Sequence, residues 1–424
     1  MVIGDGMGPA YTTAYRYFKD DPNTGVVERT VFDRHLKGLS STYPAKISGV
    51  VTDSAASATA LATGVKSYNG AIGVDVDKKK LQTVLEWAKL QGKKTGVVVT
   101  SQINHATPAS YLAHNENRRN YNAIADSYLD DGIKADLYFG GGWQYFIRED
   151  RNLVKEFQQA GFHYIDNYQG LTSLPNNKPV LGLFADIGLP WALDDTNKHR
   201  LSTMTKAAVH HLIDLQKYDK SPDNGFFMLI EASQIDWAGH GNNINDAMAE
   251  MDDLAKTLEY LEHFVEKNPD TLVVVTADHS TGGFTLAAKG KYEWQAESLR
   301  FMQHSVNFIA KKLATNDINA QVAQALFNFE LTETELNLLL KAKATPQLKN
   351  SNNIYQDKKS STAELALLKQ VKSLVDSRTN SGWTSSGHTA IDVPVIAFGA
   401  QSELFNGHQD NTDIAKKIFI LLGK

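Results

Sequence analysis

Strand-like apolar runs recur at Thr95–Thr100, Ala135–Phe139, Val180–Phe184, Phe226–Ile230, Thr271–Thr276 and Val393–Phe398, several of them apolar on consecutive positions. Runs of this length and character predict strands buried on both faces. Between them, apolar positions recur with helical spacing at Leu81–Leu90, Ser202–Gln216, Asn243–Val265 and Asp413–Leu422. The alternation predicts an α/β fold, a three-layer sandwich with a mostly parallel central sheet and helices on both faces. Ligands of such sheets bind beyond the carboxyl ends of the strands. From about Gly290 to about Thr379 the rhythm breaks, Lys, Asn, Gln and Ser become more frequent, and helices follow without intervening strands. That stretch, about 290–379, is read as an inserted cap on a single domain covering 1–424. No repeat or low-complexity tract is visible.

The run from Asp53 to Gly64 reads D-S-A-A-S-A-T-A-L-A-T-G. Ala and Leu favour a helix, and Gly64 is suited to end it. Ser54 therefore falls at or just inside a helix N-terminus, where unpaired N–H groups and the helix dipole stabilise an anion or alkoxide. Taken alone, such a serine reads as an N-cap on a buried Ala-rich helix. Near the start, Met1-Val2-Ile3 reads as the end of a strand entering G-D-G-M-G. Three residues make a short strand, so part of that strand and a leader are expected to precede Met1. Asp5, between Gly4 and Gly6, can lie deep with backbone close around it.

Composition narrows the chemistry. The chain has 424 residues, a formal net charge of -5 and no cysteine. Thiolate metal sites are excluded, so any metal must be held by His, Asp, Glu or hydroxyl ligands. No basic run points to a nucleic-acid partner, and no apolar stretch approaches the ~20 residues of a membrane span.

Polar residues cluster after the predicted strands. T-S-Q-I-N-H-A-T-P-A-S-Y-L-A-H-N-E-N-R-R carries His105, Thr107, His114, Arg118 and Arg119, with Pro108 at an early helical position and Thr107 near the cap. An arginine there can grip phosphate through parallel N–H bonds. E-A-S-Q-I-D-W-A-G-H carries Glu231, Asp236 and His240; the last pair, four apart, shares one helix face and can bind one metal. A-D-H-S-T-G-G places Asp278 and His279 beyond a buried strand, and S-G-H-T-A places His388 before the last one. Together with a helix-start serine and an arginine, these residues meet the needs of metal-assisted phosphoryl transfer. Two Zn²⁺ roughly 4 Å apart can clamp the attacking and leaving oxygens, and the serine supplies a covalent nucleophile. No G-x-S-x-G elbow surrounds any serine, which disfavours an ordinary serine-hydrolase triad.

In these motifs and their order the sequence resembles the alkaline phosphatases, from G-D-G-M-G to at least Gly399. The resemblance implies that Ser54 is the phosphorylated nucleophile and Arg118 the phosphate clamp, with Arg119 outside the match. Asp236, His240 and His388 would hold one zinc. Asp5, Asp278 and His279, with Ser54, would hold a second. Glu231, Thr107 and a shared Asp5 would hold a magnesium. His105 and Trp237, which join Arg118 at the substrate, stand where the best-known bacterial pattern has Asp and Lys, and resemble a bacterial His/Trp subset. Ala390 follows G-H-T where Gly is common. The implied activity is hydrolysis of small phosphate monoesters to inorganic phosphate, at alkaline pH, by a homodimer that is periplasmic or secreted. A phosphodiesterase of the same superfamily and a non-catalytic metal- or phosphate-binding protein are the alternatives; Ser54 with Arg118 favours the monoesterase.

Overall fold

Among the described residues, the apolar runs lie within a ten-stranded sheet. The structure, a computed structural model, describes residues 1–218, 224–344 and 361–424. Its strands are β1 (Val2–Gly4), β2 (Leu36–Ser41), β3 (Lys94–Gln102), β4 (Leu137–Gly141), β5 (His163–Ile165), β6 (Val180–Leu183), β7 (Phe226–Ala232) and β8 (Leu272–Thr276). Next come β9 (Ser280–Thr281), β10 (Phe284–Thr285), β11 (Gly382–Trp383) and β12 (His388–Thr389), which form two antiparallel ribbons, β9 with β12 and β10 with β11. Two further strands, β13 (Val393–Gly399) and β14 (Gly407–Asp410), return to the large sheet. The sheet order is β14-β2-β13-β8-β1-β7-β3-β4-β6-β5. Among the described residues, only β13 runs against its neighbours there, pairing antiparallel with both β2 and β8.

Alternate residues of the central strands feed different cores. Val2, Val98 and Ile230 join the core on one face, while Ile3, Val97, Val99 and Leu229 join that on the other. Fully burying each such side chain contributes about 1.5–3 kcal/mol, so the strands had to be apolar at consecutive positions. Helices Pro9–Lys19, Arg200–Tyr218 and Ile244–Lys267 cover the first face; Ser54–Thr63, Val84–Leu90, Ala106–Leu112 and Asn411–Leu421 cover the second. The result is the expected α/β layering.

Several details differ from the sequence reading. The helix expected from Leu81 begins at Val84, because Thr83 and Glu86 form a capping box that fixes its first turn. Thr107 does lie near the cap as expected, in the first turn of a helix whose cap is His105. The three-residue β1, short as it is, sits mid-sheet between β7 and β8. The stretch 290–379 carries the helices Glu297–Phe301, Val306–Thr315, Ala320–Phe327, Glu333–Lys343 and Thr362–Thr379; its residues 345–360 lie outside the described residues. From the last of these helices, Lys372 Nζ donates to Gly241 O, just past the helix Gln234–His240.

Candidate active site

Strands β8, β1, β7 and β3 are consecutive neighbours in the sheet, and the segments leaving them bring the predicted residues together. Asp5 follows β1, where its N–H donates to Ala232 O at 3.2 Å. Gly6 then takes φ +73°, and a Cβ there would meet Asp236 Cα at 2.7 Å. This close approach is what the glycine beside Asp5 is for. Glu231 lies at the end of β7, in register with Ile3. Asp236, Trp237 and His240 lie on the helix Gln234–His240, with Asp236 and His240 one turn apart as predicted. Asp278 and His279 follow β8, and His388 is brought in by the pairing of β12 with β9.

Among the described residues, atoms that could hold a metal gather in three groups, the atoms of each within 4.8 Å of one another: Asp236, His240 and His388; Asp5, Asp278 and His279; and Asp5, His105 and Glu231. The third group departs from the expected set by including His105 beside Asp5 and Glu231. Thr107 stays nearby in sequence, its hydroxyl buried and without a hydrogen-bond partner.

The geometry of the first group fits a cation. His240 Nδ1 donates to Ser386 O at 2.6 Å and His388 Nδ1 to Thr52 O at 2.9 Å. With both Nδ1 protons committed to carbonyls, the neutral rings turn their Nε2 lone pairs toward each other at 3.1 Å. Asp236 Oδ2 lies 3.4 Å from one of these nitrogens and Oδ1 3.6 Å from the other. Acceptors thus face acceptors, an arrangement that a divalent cation relieves.

In the second and third groups, both Asp5 oxygens, Glu231 Oε1 and His105 Nδ1 are buried without hydrogen-bond partners. Each such orphan costs about 1–3 kcal/mol. Burial, with Asp278, Asp236 and Glu231 nearby, pushes the Asp5 carboxyl well up. Burial likewise pushes Glu231 up to about 7. Asp278 goes the other way: burial opposes ionisation, but the His279 ring and the Gly6 N–H hold it down to about 2. Burial keeps the His105 imidazole down at about 3. Carboxylates and neutral imidazoles packed in this way fit bound metal ions.

Ser54 opens its helix at the edge of this cluster. Asp53 is the cap, accepting from Ala56 N through Oδ1 at 3.0 Å, and all ten helical residues are buried. Ser54 Oγ lies 3.1 Å from His279 Nε2, which is also 3.1 Å from Asp278 Oδ2. Arg118 reaches in from the loop after Ala106–Leu112, its N–H tied to Gly70 O at 2.8 Å. Its Nη1 donates to Asp53 Oδ2 at 3.0 Å and its Nη2 lies 3.4 Å from His105 Nε2. Arg119 is exposed and held by Asn117. Trp237 stands edge-on to His105, with ring centroids 6.1 Å apart and its indole Nε1 unpartnered. Room for the indole comes from Gly188, where a Cβ would meet Trp237 Cη2 at 2.3 Å. Ala390 is exposed and outside the left-handed region, so its side chain is accommodated without strain.

A family model described as alkaline phosphatase matches residues 1–423. The chain belongs to the alkaline phosphatase family. It is 45% identical to alkaline phosphatase 4 of Bacillus subtilis (strain 168), over 100% of this chain and 88% of that one. Among solved structures, the cold-active alkaline phosphatase of the psychrophile Shewanella sp. is 46% identical with a TM-score of 0.89, covering 100% of this chain and 99% of that one. A TAB5 alkaline phosphatase variant with histidine exchanged for glutamate, and Mg bound in its M3 site, is 29% identical with a TM-score of 0.69; 99% of this chain and 96% of that one are covered. Phosphate monoester hydrolysis with metal cofactors is the chemistry of this family.

Sequence reasoning assigned no role to Asp53, the partner of Arg118, nor to Thr281, which touches two of the three groups. The signal for Thr281 was its spacing: two residues beyond His279 on an extended segment, it points to the same side.

Proposed function

We propose that this protein hydrolyses small phosphate monoesters through a covalent phosphoserine at Ser54, using two zinc ions and one magnesium ion per chain. The observation that carries the metal reading is the inward-facing pair of imidazole lone pairs on His240 and His388, beside Asp236. That group is assigned one zinc. Asp5, Asp278 and His279, with Ser54, are assigned the other. Asp5, Glu231 and Thr107 offer oxygen donors suited to magnesium, and His105 adds a nitrogen that makes the third position friendlier to zinc. When bound, zinc supplies the Lewis acidity that steadies the attacking and leaving oxygens.

The chain's own part follows from its geometry. Ser54 Oγ attacks phosphorus; its O–P bond forms as the bond to the substrate's oxygen breaks, and the alcohol leaves with a proton. Water then cleaves the serine phosphate, giving inorganic phosphate and restoring the hydroxyl. The positive helix end at Ser54 lowers the cost of its alkoxide. Arg118 holds non-bridging phosphate oxygens through parallel N–H bonds, and Asp53 holds Arg118. Trp237 and His105 border the same space.

The pairing of Ser54 with Arg118 supports a monoesterase over a diesterase. We also propose a periplasmic or secreted homodimer with the 290–379 segment as a cap on a single domain. No helix among the described residues is long and apolar enough to cross a membrane. Acid quenching during turnover of a labelled aryl monoester should trap phosphate on the Ser54 peptide. The Ser54→Ala variant should lose both the label and turnover while keeping its fold. Label retained in that variant would overturn the assignment.

A further inference from the structure

Thr281 belongs to none of the three ligand groups, yet it stands between two of them. It is fully buried in β9. Its Oγ1 lies 2.5 Å from Asp236 Oδ1 and 3.2 Å from His279 Nδ1. A threonine hydroxyl has one proton to give, and a carboxylate can only accept. The proton therefore goes to Asp236, and the oxygen must accept the Nδ1–H of His279. That fixes the tautomer of His279. Its lone pair is left on Nε2, the atom 3.1 Å from both Ser54 Oγ and Asp278 Oδ2.

The backbone of the same residue is held on both sides. Its N–H donates to Gly6 O at 3.2 Å, next to Asp5, and its carbonyl accepts the Tyr11 hydroxyl at 2.8 Å. It is also the register partner of His388. Thr281 thus has almost no freedom, and its one polar hydrogen and one oxygen lone pair are directed at ligands of different groups.

We propose that Thr281 is a positioning residue that sets two metal groups at once, orienting the Asp236 carboxylate of one and fixing the His279 tautomer of the other. This rests on the metal reading above. Partners behind metal ligands are commonly worth about 10–100-fold in metal affinity. Here one hydroxyl serves two groups, so its loss should weaken both.

Valine copies the shape of threonine without the hydroxyl, and serine keeps the hydroxyl without the methyl. Competition against a graded zinc chelator should give Thr281→Val about a 10–100-fold weaker affinity for both zinc ions. Thr281→Ser should stay near wild type. Zinc affinity unchanged in Thr281→Val, loss confined to one of the two zincs, or Thr281→Ser as weak as Thr281→Val would each overturn the proposal, the last by assigning the effect to the methyl group. The wild type itself gives a second reading that needs no variant. With isotope-labelled histidine in the zinc-loaded enzyme, His279 should show a slowly exchanging Nδ1–H; a proton on Nε2 would overturn the tautomer argument. A wild type that takes up no zinc would instead sink the metal reading on which this role stands.

Discussion

Asp53 divides its two oxygens between the helix of the proposed nucleophile, Ser54, and the proposed phosphate clamp, Arg118. Oδ1 caps the helix that Ser54 begins, and Oδ2 takes Arg118 Nη1 at 3.0 Å. Asp53→Asn keeps a cap oxygen but gives Arg118 a donor where it had an acceptor. Two effects then compete at the arginine. Losing the counter-charge strengthens its pull on phosphate by about 1 kcal/mol after screening. Losing the anchor frees a side chain with about 2 kcal/mol of rotamer entropy, which must be given up again on binding. The anchor wins, so phosphate inhibition should weaken several-fold in Asp53→Asn. Asp53→Ala should weaken it similarly and also lower stability by about 1 kcal/mol through loss of the cap. The phosphate inhibition constant and the thermal midpoint of both variants check this; tighter inhibition in Asp53→Asn would reverse the order of the two effects.

A buried acid in the helix Thr362–Thr379 makes stability depend on pH. Asp376 accepts from Trp383 Nε1 at 3.1 Å, and burial pushes its carboxyl up to about 6 from an ordinary 3.8. The folded chain therefore binds this proton more tightly than the unfolded one between those values. Stability from this group falls as pH rises across that window, and the loss is complete above it. Asp376→Asn keeps an acceptor for the indole and removes the titration. Relative to wild type, the variant should gain stability as pH rises from about 4 to about 6 and hold a constant advantage of at most about 3 kcal/mol beyond that. Paired denaturation midpoints at matched metal concentration measure it. A flat difference across the window would mean that Asp376 is not the group responsible.

Metal content separates the three groups. A strong chelator should abolish activity, and zinc with magnesium should restore it. Asp236→Ala and His240→Ala should each lose about one zinc per chain, since each removes one of the three ligands proposed for that zinc. His105→Asp replaces a nitrogen donor with an oxygen donor in the third group and should shift its occupancy from zinc toward magnesium. Elemental analysis after dialysis against both metals decides; zinc unchanged in the first two variants would contradict the helical-turn site.

The strands behind this site were legible because a sheet covered on both faces needs apolar residues at consecutive positions, as at Phe226–Ala232 and Leu272–Thr276. The outer strands were not. Leu36–Ser41 and Gly407–Asp410 are half-exposed and polar, and only their backbone pairing makes them strands. The reversed direction of β13 is equally invisible in an apolar run. Among the site residues, acids and histidines after strands were readable from type and place alone. Their grouping was not, because it depends on β8, β1, β7 and β3 being neighbours. His105 joined the third group, and Thr281 came to lie between the other two, through that adjacency rather than through any local pattern.

Trp237 occupies a position where charge and packing can be told apart. Its indole fits the space opened by Gly188 and lies edge-on to His105, which burial keeps neutral. Neither ring brings a positive charge to bound phosphate, and an indole can donate one N–H at most. A lysine there would add a charge acting through water at roughly 6 Å, worth about 1 kcal/mol after screening. Inorganic phosphate is the product, and product release commonly limits turnover in well-evolved enzymes. The protein should accordingly bind phosphate weakly and turn over fast for its family. Trp237→Lys should tighten phosphate inhibition several-fold and, with release limiting, lower kcat. Because His105 makes the third group sensitive to which metal fills it, both quantities are to be measured at saturating, identical metal concentrations. Phosphate inhibition that is unchanged or weaker in Trp237→Lys would assign the position to packing against Gly188 and His105 instead of to charge.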